Sequence, residues 1–310
     1  MQALIDVILH AGRSAVDTAL YTLLPIMVVM MILMRWLEVR GVTGRLVAWL
    51  APVARPFGLP GLGVLAMVQI TLVSFAAPMP TLALMDRQGI PSRQLAATLA
   101  AMLAMAPANA MFPLAGMGMQ LAPVLLMSIA GGLVAAAATY WGTGRFLDSA
   151  PHAALPALAG AEDGTSLLQI VNGSGAQAVR ICISMIPMLL MSLVVVLGLQ
   201  RVGGVDALNR ALAPVLRVFG IDSGLLLPMV TKYLAGNTAM VGVVQEMAHQ
   251  GHLRVSLIER SAGFLLHPLD LPGVALFAST GVRVGRVCLP ALAGACVGVA
   301  FRAFGSVLLG

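Results

Sequence analysis

Charge is what this chain has least of. Of 310 residues, 18 are Lys or Arg and 12 are Asp or Glu, and together they make up 10% of the sequence. A soluble domain carries about a quarter charged residues. So few charges cannot cover the surface of a soluble fold of this length, and mean hydropathy is +0.96. There is one lysine, Lys232, in the whole sequence. The formal net charge of +6 comes from arginines scattered through the chain. Nucleic-acid binding needs a clustered basic footprint, so it is excluded as a function class. Three cysteines, Cys182, Cys288 and Cys296, sit in apolar runs without metal-site spacing and read as small apolar fillers. The sequence contains no HExxH, no phosphate-binding loop and no GxSxG. A catalytic role, a metal and a cofactor are therefore not expected.

Apolar stretches are abundant: 59% of the residues are hydrophobic, and runs of bilayer-spanning length recur. The fold class expected is all-α: a polytopic helical membrane protein with two homologous halves that contain broken or re-entrant helices. Membrane lipids are its first partners. Residues 1–20 carry Asp6, His10, Arg13 and Asp17 at helical spacing, which predicts a short amphipathic helix at the interface. A first span is predicted from Leu20 to about Trp36, with Pro25 bending its beginning. Gly41–Gly58 reads as a surface-lying or re-entrant helix ended by Pro56 and Gly58. Leu62–Met85 is a span interrupted by Pro78 and Pro80, and it carries Gln69, Thr71 and Ser74. The third span, from Gln94, is interrupted at MAPANAMFP, where Asn109 is a buried polar candidate. Asp148 to about Gly175 reads as a polar surface link, with or without a short helix through SLLQIV. The basic residues divide almost evenly between the two sides of this topology, with Arg302 counted among the loop arginines, so orientation does not resolve.

The second half repeats the first at a spacing of 162 residues. Pro25 matches Pro187, Gly41 matches Gly203, LAPVARPFG at 50–58 matches LAPVLRVFG at 212–220, and Gln88-Gly89 matches Gln250-Gly251. The division expected is 1–145 and 179–310 as the two halves, with 146–178 as a polar interdomain loop. Ser74-Phe75-Ala76 faces Gly236-Asn237-Thr238 in this alignment, so the same segment is polar in both halves.

Charge at bilayer depth has a partner, a cavity or a task. Lys232 lies in LLLPMVTKYLAGNTAMVGVVQEM, whose pattern is that of a broken span. It either pairs structurally with a carboxylate or serves a solute site together with Asn237 and Thr238. His267 and Asp270 lie in FLLHPLDLPGVALF, and Asp270 is the candidate partner of Lys232. Asn109, Gln69 and Ser74 offer the neutral donors and acceptors of a polar solute cavity. The alternative for these residues is that they satisfy the backbone of the broken helices.

The paired LAPVxRxFG elements, each followed by a broken span, resemble the nucleoside recognition or gate domain. That domain occurs in spore maturation proteins A and B, in concentrative nucleoside transporters and in ferrous iron transporters. The chain looks like a tandem fusion of an A-like and a B-like half. The resemblance implies a multi-pass protein of the bacterial inner membrane. It also implies a transporter or permease for a small polar solute, a nucleoside included, or else a non-transporting scaffold or gate subunit. A second copy of the chain or a membrane partner protein would accompany either.

Overall fold

In the computed structural model of the chain, residues 2–150, 166–204, 207, 210, 222–251, 253 and 255–309 are described. The described elements are all helical. The second LAPVLRVFG copy, Leu212–Gly220, and residues 151–165 of the interdomain link lie outside the described residues.

The first helix is longer than its charge pattern predicts. Its segments α1 (Gln2–Asp17) and α2 (Leu24–Val39) join through one π-helical turn, Thr18–Leu23. Pro25 explains the joint. It has no amide to donate, and its ring crowds the carbonyl four residues back, so the register slips there while the helix continues. The amphipathic segment is thus not a separate short helix: from Ile5 it is continuous with a stretch, Ile5–Leu37, long and apolar enough to cross a membrane. Its small face, Ala11, Ala15 and Ala19, is buried.

Next come α3 (Val42–Ala54) and a 3-10 turn, Arg55–Phe57, which ends at Gly58 in the left-handed region with φ +80°. The chain then bends by 107° into α4 (Gly61–Leu72). Pro56 and Gly58 end the element as the sequence predicts. The span carrying Pro78 and Pro80 breaks after α4 and resumes as α5 (Met79–Arg87). A second broken pair follows, α6 (Ser92–Ala104) and α7 (Ala108–Gly116), and then α8 (Leu121–Ala137). Leu95 to Ala104 of α6 are all buried. A helix apolar on every side belongs in the centre, and its alanines let neighbours come close.

The long helix α9 (Leu167–Arg201) begins inside the expected loop, so residues 167–178 are helical. The sequence QIVNGSGAQ looks like loop because of its glycines and polar residues. Packing against α1 and α2 stabilises it as helix. After it stand α10 (Leu226–Ala235), α11 (Asn237–His249), α12 (Val255–Leu265), α13 (Leu271–Ala278), α14 (Val282–Arg286) and α15 (Cys288–Leu309). Gly236 alone separates α10 from α11, at φ +89° and ψ 175°, a conformation essentially reserved for glycine.

Element ends recur at the same spacing as the sequence matches. Helices α2 and α9 end at Val39 and Arg201, and each is followed by a left-handed glycine, Gly41 and Gly203, both at φ +68°. Helices α5 and α11 end at Arg87 and His249, followed by Gly89 at +67° and Gly251 at +72°. A left-handed glycine just past a helix end closes the last turn by accepting the chain reversal that a side chain resists.

Four stretches among the described residues are long and apolar enough to cross a membrane: Ile5–Leu37, Ser92–Gly116, Leu121–Thr143 and Cys288–Ser306. The bent pair at α3–α4 makes up to five. The protein is a multi-pass helical membrane protein. Helix α15 packs against α6, α8 and α12, while α9 packs against α1, α2 and α11.

The bend at Gly58 yields a paired prediction. A Cβ there would lie 2.2 Å from the Tyr140 ring, on top of the positive φ. Gly58→Ala is expected to destabilise by about 1–3 kcal/mol. Gly44, inside α3 with no atom within 4 Å of an added Cβ, is the control. Gly44→Ala is expected to be neutral or to stabilise by up to about 1 kcal/mol. Apparent melting temperatures of the two variants, in one detergent, check the contrast.

Candidate functional site

A broken helix in hydrocarbon leaves amides and carbonyls that must find partners inside the protein. The polar residues singled out in the sequence stand at four such breaks. In the second half, α10 ends next to Lys232 and α13 begins at Asp270. Lys232 is fully buried, with Nζ 3.1 Å from His267 Nδ1, 3.3 Å from the Leu269 carbonyl and 3.5 Å from Asp270 Oδ2. Its ammonium also lies 4.3 Å from the centre of the Tyr233 ring. Asp270 caps α13, its Oδ1 accepting from the Gly273 amide at 2.8 Å. The cation thus sits in the last turn of one helix and the carboxylate at the start of another. Both positions match the helix dipoles, which adds to the direct attraction. Asn237 Nδ2 donates to the His267 carbonyl at 2.8 Å, satisfying the unwound segment between α12 and α13.

Asn109 links the halves. It lies in the first turn of α7 and is buried. Its Oδ1 accepts from the Phe75 amide at 3.1 Å, and its Nδ2 donates to Thr238 Oγ1 at 3.1 Å. One side chain therefore joins the break after α4 to the break after α10. These are the two segments that the repeat places opposite each other.

A cleft of about 620 Å³ lies against the α4–α5 break. Its walls include Met31, Met34 and Arg35 of α2, Gln69, Ser74 and Pro80 around the break, and Gln169, Ser174 and Gln177 of α9. Gln69 is held by Thr81, whose hydroxyl donates to Gln69 Oε1 at 2.7 Å. Of the residues picked from the sequence, Gln69 and Ser74 line the cleft. Asn109 and Thr238, bonded to each other, are not among its lining residues. Lys232, His267, Asp270 and Asn237 form the separate, packed cluster. Asn237 Oδ1 and His267 Nε2 in that cluster, and Thr231 Oγ1 next to Lys232 in the chain, are buried without a hydrogen-bond partner.

Two groups of residues were missed. Gln169, Ser174 and Gln177 stand in the stretch expected as the interdomain link, where the sequence offers no more than a short helix through SLLQIV because glycine and polar content outweigh helical period. Arg302 was read as a loop arginine, but it is fully buried within α15. Its signal was available: it stands in VAFRAFG, inside an apolar run long enough to span. Among the described residues, no group of three or more His, Cys, Asp or Glu stands close enough to hold a metal ion.

Neither a protein-family model nor a curated protein sequence matches the chain. Solved structures do. CNTnw, a concentrative nucleoside transporter, in an inward-facing substrate-bound state is 15% identical, with a TM-score of 0.67, over 99% of this chain and 83% of that one. The chain has the CNTnw fold. A CNTnw double variant in an outward-facing state aligns with a TM-score of 0.68 and 16% identity, over 94% of this chain and 75% of that one. A CNTnw variant in an intermediate state aligns with a TM-score of 0.69 and 16% identity, over 94% and 76%.

The buried pair makes a testable statement about the second half. Removing one charge of a buried pair strands the other, which costs about 3–5 kcal/mol. Lys232→Met is expected to lower the apparent melting temperature strongly. Adding Asp270→Asn to it keeps the helix cap but removes the stranded charge, so the double variant is expected to be more stable than Lys232→Met alone. Thermal unfolding of the two variants and the parent in detergent reads the difference.

Proposed function

We propose that this chain is a membrane transporter for a small polar solute of nucleoside type, working by alternating access around its broken helices. The observation that carries the reading is the cleft against the α4–α5 break. Its volume falls within the range of small-molecule sites. Its polar lining is mostly neutral amide and hydroxyl, which suits the donors and acceptors of a base and a sugar. The fold shared with CNTnw, seen in substrate-bound inward-facing and in outward-facing states, supports the same reading.

On this reading Gln69 and Ser74 touch the solute, and Asn109 with Thr238 relays its presence to the second half. Lys232, His267, Asp270 and Asn237 hold the second half's breaks and reach the path when the cluster opens. The two halves, 1–145 and 179–310, descend from one ancestral unit and together resemble a fused pair of spore-maturation-like domains. The protein resides in the bacterial inner membrane, beside a second copy or a membrane partner, and has no catalytic role. One observation favours a second reading, a non-transporting scaffold or gate subunit: Lys232 is already paired and sealed from the cleft.

Thermal stability with added ligand separates the two. A compound that binds only the folded state at 100 times its Kd stabilises by about 2.7 kcal/mol. A panel of nucleosides, nucleobases, amino acids and divalent metals is expected to give its largest upward shift with nucleosides. Gln69→Ala should abolish that shift without changing the stability of the unliganded protein by more than about 1 kcal/mol. No shift with any compound, together with no uptake into proteoliposomes, would transfer the case to the scaffold reading.

A further inference from the structure

Arg302 presents a problem of charge. Its guanidinium is fully buried, and its hydrogen bonds go to carbonyls alone. Nη1 donates to the Ala104 carbonyl and, at 2.8 Å, to the Leu266 carbonyl. Nη2 donates to the Ala262 carbonyl at 3.3 Å. Ala104 is the last residue of α6, and Ala262 and Leu266 flank the end of α12. These are the points at which the two spans unwind, one in each half. Each helix end carries roughly half a negative charge on its last carbonyls; that of Ala262 also accepts from the Leu266 amide at 2.9 Å. Two such ends supply the countercharge of one cation, with no carboxylate required. The flat, forked guanidinium can serve both ends at once, whereas an ammonium is a single point.

The surroundings are shaped for this contact. A Cβ on Gly131 of α8 would lie 2.2 Å from Arg302 Cγ, and one on Gly263 of α12 would lie 2.2 Å from the Arg302 carbonyl oxygen. Serines complete the seam. Ser306 Oγ accepts from the Gly263 amide at 3.0 Å and donates to the Arg302 carbonyl at 2.8 Å. Ser128 Oγ accepts from the Ala106 amide, inside the first break, at 2.7 Å.

We infer that Arg302 is a positioning residue that locks the two unwound segments, 105–107 and 266–270, into one rigid unit. Asn109 stands two residues past the first segment, and His267 and Asp270 lie in the second. Arg302 thereby holds the polar residues of both halves in one geometry. Loosening either helix end strips the cation of half its countercharge, so neither break relaxes alone. This assignment stands whether or not the protein moves a solute.

Hydrogen exchange by mass spectrometry, on the full chain in lipid nanodiscs, tests it without a ligand. In Arg302→Met, amides of 104–109 and of 266–271 are expected to exchange about tenfold faster or more, together, with α1, α2 and α9 unchanged. Arg302→Lys keeps the charge without the fork, so it is expected to loosen both segments to a smaller degree. Arg283→Lys is the control for losing an arginine elsewhere. Arg283 donates to the Asp86 and Ile90 carbonyls, away from both breaks, and its replacement should leave both protected. If Arg302→Met does not fold, Arg302→Lys is judged by the same criterion. Faster exchange at one break alone, at neither, or uniformly along the chain would overturn the assignment.

Discussion

Backbone polarity in hydrocarbon governs this architecture. A continuous helix hides its amides and carbonyls in its own ladder, and a broken one does not. The described chain breaks its helices at four places near its centre, and each break needs side chains to replace the missing backbone partners. Asn109 serves the amide of Phe75, Asn237 serves the carbonyl of His267, and Ser128 serves the amide of Ala106. Lys232 places its cation against the Leu269 carbonyl in the unwound segment, and Arg302 places its own against carbonyls at helix ends. The rare polar residues of a very apolar chain are therefore concentrated where the backbone is irregular.

The division of labour between the halves follows from the same need. The repeat gives both halves the same breaks and the same left-handed glycines after corresponding helices. It does not give them the same chemistry. At the α10–α11 break a lysine stands where the first half has Ile70, the aligned position. The second half consequently closes its break with an ion pair, and the first with neutral amides and hydroxyls. A cleft forms beside the neutral break, and a packed cluster forms at the charged one.

Much of this was legible in the sequence, for identifiable reasons. Proline pairs and the glycine before Asn237 announced the breaks, because both residue types alter backbone geometry locally. Lys232 and Asp270 were matched as a pair because buried charge in lipid has few options. The repeat spacing was visible because it rested on Pro, Gly and Arg positions. What escaped depended on contacts distant in sequence. The amphipathic pattern of residues 1–20 was real, but only packing on α9 shows that the helix runs on to Val39. The start of α9 looked like loop because its helical state is set by its neighbours. The apolar run around Arg302 signals its burial, but not its partners: the two helix ends that neutralise it lie 198 and 36 residues away.

The sealing of Lys232 has a chemical corollary. It carries the chain's only side-chain amine, and that amine is shut in the protein interior. Reagents directed at primary amines thus meet a folded protein whose side chains offer them nothing. Acylation at Lys232 becomes a clock for the opening of the α10–α11 break, on a chain where no other lysine competes for the label.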